Sequence, residues 1–208
     1  MTRKVLLVCG ILSSLLYMAM LIFVAMQWEA YSSASQTVSE LSAIDAPTRV
    51  LWVPLGRLYT LLVSAFGCGI WMSARRSRLL RVVGGLVVVY GVIGLAWPPM
   101  HLREVLAAGG ATLTDTLHIA WTFATVLLMM LAMGFGAAAF GKRFRLYSIA
   151  TMVILMAFGG LTSTSAPGVS ANLPTPWIGV WERINIGVFL LWVVVLAITL
   201  LRADEETT

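Results

Sequence analysis

Apolar residues run in six blocks along the chain, and between the first two lies the longest polar stretch, WEAYSSASQTVSELSAIDAPTR, from Trp28 to Arg49. A helix needs about 20 apolar residues to cross a hydrocarbon core of about 30 Å. The blocks fall at about 5–28, 51–74, 82–97, 117–140, 146–163 and 179–201. The pattern predicts an all-α membrane protein: a six-helix transmembrane bundle forming one domain over residues 1–208. Pro54, Gly56 and Arg57 interrupt the second block, and Pro98-Pro99 end the third. The first block is too long for the apolar core of a signal peptide, so it reads as a retained helix with Trp28 as its interfacial anchor.

The polar stretch has its own pattern. Val38, Leu41 and Ile44 recur every three residues with polar positions between them, which suits a short amphipathic helix in the first outer loop. Thr37 and Glu40 fit a capping box, and Ala46-Pro47 stops the helix. The expectation is a lid over the outer end of the bundle, partly in the headgroup region. A helical piece is also expected at His101–Ala108, whereas the Pro and Gly of TSAPGVSANLPTPW (164–177) predict a loop without helix.

Composition supports the membrane reading. The 208 residues are 60% hydrophobic and 11% charged, with a mean hydropathy of +0.92, far from a soluble domain. The net charge of +5 does not imply nucleic acid, because no basic face carries base-reading residues. Arg3, Lys4, Arg75, Arg76, Arg78, Arg81, Lys142, Arg143, Arg145 and Arg202 fall on one side of the predicted spans. The positive-inside rule then makes both termini cytoplasmic in a multi-pass protein of the cell membrane. Cys9 and Cys68 lie inside blocks and read as buried free thiols. Glycines and alanines such as Gly67, Gly84, Gly91 and Gly136 predict close helix packing. The scattered methionines read as packing, with no ligand spacing.

Few residues can carry chemistry. Arg57 lies about 9 Å below the start of the second block at ~1.5 Å rise per residue, where an unpaired guanidinium is costly. It calls for an acceptor among Glu40, Asp45, Asp115 and Glu182, as a structural ion pair or as a clamp for a phosphate or carboxylate headgroup. Asp115 and His118, three apart, share a helix face. Adjacent Glu182 and Arg183 must find different partners, Arg57 for Glu182 and Asp45 for Arg183. A weaker alternative joins His101, Asp115, His118 and Glu182 as metal ligands. A rim serine with His118 and Asp115 would make a hydrolase triad, though no G-x-S-x-G elbow is present.

The chain resembles the prokaryotic membrane family catalogued as domain-of-unknown-function 998. The resemblance rests on YSSASQTVSELSAIDAPTR, on the Asp115-to-His118 entrance to the fourth block and on WERI at Trp181–Ile184. It implies a six-helix integral membrane protein and brings no activity. The function expected is binding of a lipid headgroup or small amphiphile in a polar outer pocket lined by Glu40, Asp45, Arg57, Asp115, His118, Glu182 and Arg183. The alternative is a membrane-embedded hydrolase of lipid amides or esters. No cofactor is called for; the partners are membrane lipids, with self-association into a homo-oligomer left open.

Overall fold

The computed structural model describes residues 1–205. The last three residues of the acidic tail lie outside them. Seven α-helices follow in order: α1 Thr2–Phe23, α2 Arg49–Ser73, α3 Arg78–Gly94, α4 Arg103–Ala107, α5 Leu113–Ala139, α6 Lys142–Ser170 and α7 Ile178–Glu205. Two 3-10 turns, Ala25–Gln27 and Val38–Ser42, lie between α1 and α2. No strand occurs among the described residues, only an isolated bridge between Ile44 and His101.

Five helices are long and apolar enough to cross a membrane: those within Thr2–Gln27, Arg49–Ser73, Leu113–Ala139, Lys142–Ser170 and Ile178–Ala203. The third of the six expected blocks is not among them. The third block becomes α3, whose 17 residues reach only about 25 Å at ~1.5 Å each. It starts earlier than predicted, with Ser77 Oγ accepting from Leu80 N–H as its cap. It also stops at Gly94, before Trp97.

The six longer helices close a ring in the order α1, α2, α3, α5, α6, α7 and back to α1. Alternating direction brings the basic segments to one end and the polar connections to the other. Gly69 near the end of α2, for example, abuts Leu6 and Leu7 near the start of α1. The core between the helices holds Leu7, Phe66, Ile70, Met133, Trp192 and Leu196, all without exposed surface. The Trp192 indole N–H donates to Ser148 Oγ at 2.9 Å. Toward the loop end the core turns polar, because the Tyr59 and Tyr90 hydroxyls meet at 3.1 Å. Tyr17 sets its ring edge-on to Tyr59 at 4.7 Å.

Small residues act as expected where helices touch. A Cβ on Gly67 would stand 2.7 Å from the Val88 backbone nitrogen, and one on Gly84 would stand 2.7 Å from that of Trp71. Only glycine lets α2 and α3 come this close, and in lipid such contact replaces the hydrophobic drive. Gly134 and Gly160 meet nothing within 4 Å and do not serve this purpose.

Two expectations are corrected. The segment after Ser163 continues as helix through Pro167 to Ser170. It ends in a Schellman motif: Asn172 takes φ 49°, its N–H donates to Val169 O at 3.1 Å, and Leu173 N–H reaches Gly168 O at 2.8 Å. Asparagine is one of the few residues at ease in that left-handed conformation, so Pro and Gly here end a helix late instead of forbidding one. Cys9 and Cys68 are free, but Cys68 is exposed and Cys9 half-buried, so neither is a core thiol.

The α2–α3 contact makes a prediction. Gly84→Ala forces a methyl group into the Trp71 backbone and should cost about 1–3 kcal/mol, the range for overpacking. Gly134→Ala, which meets open space, should change stability little. Thermal unfolding of both variants in the same detergent checks the ordering.

Candidate functional site at the loop end of the bundle

Thr37 and Glu40 form the predicted capping box. Thr37 N–H donates to Glu40 Oε2 at 2.7 Å, and Glu40 N–H donates to Thr37 Oγ1 at 3.3 Å. The helix they open is a 3-10 turn that stops at Ser42, not an α-helix reaching Ala46. Nor does it float among headgroups: Val38, Glu40, Leu41, Ser42 and Ala43 are all buried.

Glu40 has no exposed surface. A carboxylate taken out of water needs a cation and hydrogen bonds. Arg103 of α4 supplies both, with Nε 2.8 Å from Oε1 and Nη2 2.9 Å from Oε2. This is the fork-to-carboxylate geometry in which arginine excels. Hydrogen bonding to Glu40 raises the Arg103 pKa above its ordinary value. The same guanidinium reaches Ser35 O at 3.3 Å and Thr175 Oγ1 at 3.4 Å, and Thr175 in turn donates to Ser35 O at 2.8 Å. One ion pair thus ties together all three polar connections.

Asp115 and His118 face different partners. Asp115 caps α5, accepting from Thr112 N–H at 2.8 Å. It also takes the His101 backbone N–H at 2.7 Å and meets His101 Nδ1 at 2.9 Å. His101 belongs to a strap in which Ile44 N–H donates to Met100 O at 2.7 Å. His118 instead places Nδ1 2.8 Å from Pro98 O and Nε2 3.1 Å from Ser39 Oγ. Its ring and that of Trp97 meet in a T-shaped contact, with centroids 5.1 Å apart.

At the start of α7 the two adjacent charges do find separate partners, though not the expected ones. Glu182 Oε2 accepts from Val38 N–H at 2.6 Å. Arg183 donates to Ser33 O at 2.8 Å, Gly179 O at 3.1 Å and Gln36 O at 3.4 Å, and to the Tyr31 hydroxyl at 2.8 Å. That hydroxyl donates onward to Thr37 O at 2.8 Å. Burial pushes the Tyr31 pKa up to about 12, with Arg183 opposing the shift. A side chain at Gly179 would collide with Ser33 O and Gln36 O, so α7 can begin here only with glycine.

Four of the seven expected pocket residues, Glu40, Asp115, His118 and Glu182, therefore converge on the loop layer, and Arg183 holds its edge. Arg57 and Asp45 do not join them. Arg57 is exposed on α2, and its guanidinium contacts no acceptor among the described residues. Asp45 sits exposed at a turn with φ 66°. The pairs Arg57–Glu182 and Asp45–Arg183 are not formed. The weaker metal set is not assembled either: among the described residues no three His, Cys, Asp or Glu side chains gather. The residue that sequence reasoning missed is Arg103. Its position in a polar connection made its charge look inexpensive, while Arg57 looked costly.

Two open grooves flank this layer. One, of about 550 Å³, runs along Met18, Leu21, Ile22, Ala25 and Met26 and is capped by Trp28, Glu29, Tyr31, Ser33 and Arg183. The other, of about 530 Å³, lies beside Asp45, Arg49 and Pro54.

The family model described as "Protein of unknown function (DUF998)" matches residues 11–199, and the chain belongs to that family. No curated protein matches the chain, and no solved structure does.

The buried pair and the exposed arginine should respond oppositely to mutation. Arg103→Leu strands the Glu40 carboxylate and should cost about 3–5 kcal/mol, whereas Arg57→Leu should be neutral or stabilising. Unfolding of the purified variants measures both. A larger loss from Arg57→Leu than from Arg103→Leu would overturn this ordering.

Proposed function

We propose that this DUF998 protein spans the cell membrane six times, α3 included, with both termini cytoplasmic and the laced loops outside. There it binds an amphiphile carrying an anionic group, with the anion at Arg183 and the apolar part along α1. The orientation is supported by the concentration of Lys and Arg at the opposite end.

One observation carries the binding reading. The Arg183 guanidinium at the edge of the 550 Å³ groove is held by three carbonyls and a phenol, all neutral. Its orientation is fixed and no carboxylate is ion-paired to it, although Glu182 attracts it through space, which leaves its free N–H donors to a phosphate or carboxylate. Met18, Leu21, Ile22 and Met26 below it offer an apolar wall, and methionines adapt to chains of varied shape. Glu29 on the same rim can accept from hydroxyl or ammonium groups of a headgroup. Arg57, expected as an ion pair or as the clamp, has no such cradle.

The alternative of a hydrolase in which His118 and carboxylates activate water loses support. Asp115 is engaged by His101, and Glu182 by Val38 N–H. What favours any catalytic reading is the contact of His118 with Ser39.

Titration of the protein with short-chain phosphatidylglycerol and phosphatidylethanolamine, followed by native mass spectrometry, tests the binding reading. Arg183→Gln should lower occupancy about tenfold, equivalent to ~1.4 kcal/mol, while Arg57→Gln leaves it unchanged. Equal occupancy in Arg183→Gln and wild type would defeat it.

A further inference from the structure

Beyond the groove and independent of it, the loop end brings a serine hydroxyl against an imidazole. Pro98 O can only accept a hydrogen bond, so His118 Nδ1 carries the hydrogen of the 2.8 Å contact. Nε2 is then left with its lone pair, aimed at Ser39 Oγ 3.1 Å away. Hydroxyl, imidazole and an acceptor that fixes the tautomer are the three parts an activated serine requires. Here the third part is a backbone carbonyl in place of a carboxylate.

Accessibility and rigidity agree with that role. His118 is only 7% exposed, while Ser39 is half-buried, so the base is sheltered and the residue that carries the hydroxyl is not sealed from the surface. Both neighbours of Ser39 are pinned, Val38 by Glu182 and Glu40 by Arg103. Trp97 holds the imidazole ring from the side. Such support is what keeps a reacting group in place.

We propose that Ser39 is the nucleophile and His118 the general base of an acyl-transfer site acting on carboxylic esters of amphiphiles. The site lies on the polar connections at the ends of apolar helices, where the ester groups of such molecules lie. In the first step Ser39 Oγ bonds to the ester carbonyl carbon and its proton passes to His118 Nε2. The carbon–oxygen bond to the alcohol breaks, and the alcohol leaves with that proton, giving an acyl-Ser39 ester. Water then gives a proton to Nε2 and attacks the acyl carbon. Ser39 Oγ leaves and regains the proton, so the sum is ester plus water to acid plus alcohol.

The test uses the full chain in detergent with a fluorophosphonate probe and peptide mapping by mass spectrometry. Wild type should carry one adduct, on Ser39; Ser39→Ala should lose it while remaining folded, at a melting temperature lowered by no more than the loss of one partly buried hydrogen bond implies. His118→Gln should label about a hundredfold more slowly, the scale of a lost general base, and Ser163→Ala, at an exposed serine, should label normally. Absence of the adduct from folded wild type overturns the proposal, as does undiminished labelling of Ser39 in His118→Gln. Should His118→Gln unfold, the comparison of wild type with Ser39→Ala decides. Failure of this test leaves the Arg183 groove untouched.

Discussion

The loop end depends on one constraint: the Glu40 carboxylate is completely buried and must be answered. Arg103, 63 positions away in sequence, answers it with two hydrogen bonds. A buried pair of this kind brings little net stability over a well-packed apolar pair, because both ions lose their hydration. What it does impose is a choice. Any arrangement of the connections that separates Arg103 from Glu40 leaves an isolated charge among apolar side chains. The same guanidinium touches Ser35 and Thr175, so the choice extends to the third connection.

The helices below inherit that order. Val38 N–H on Glu182 and Gly179 N–H on Ala34 O at 2.9 Å fix where α7 begins, and Ser39 on His118 fixes α5. Ile44 and Met100 join the connection before α2 to the one after α3. The glycine contacts of α2 with α3 complete the ring from within the bundle. Packing sets the distances between helices, and the polar layer sets how their ends meet.

Much of this was written plainly in the sequence. The apolar blocks, the basic segments and the Thr37–Glu40 capping signal each rest on local periodicity, and each reappears in the structure. Val38 and Leu41, the two of the three spaced residues that lie inside the turn, also held a finer message. A spacing of three is the period of a 3-10 helix, whereas an α-helix repeats at about 3.6, and the turn is indeed 3-10. Partner choice was far less legible. Glu40 takes Arg103 and Asp115 takes His101, and nothing local distinguishes those pairings from Glu40 with Arg57 or Asp115 with His118. Burial decides them, and burial is a property of the assembled ring. Arg57 drew notice because a mid-helix arginine is costly if it faces apolar surroundings. Its exposed position on α2 gives the long side chain room to carry its head toward the interface.

The 3-10 geometry also explains how so short a segment serves three helices. Successive residues in such a turn point about 120° apart, since three complete a revolution. Ser39 and Glu40 therefore diverge, one to His118 on α5 and the other to Arg103 on α4. Val38 keeps its side chain in the core while its backbone N–H meets Glu182 on α7. An α-helix with the same residues would turn only about 100° per residue, and the mismatch would grow along the segment. The capping box holds the first turn at the geometry that all three contacts share. For that reason the hydroxyl of Ser39 and the carboxylate of Glu40, neighbours in the chain, face separate surroundings and can serve separate ends: one is offered to a base, the other consumed in holding the structure.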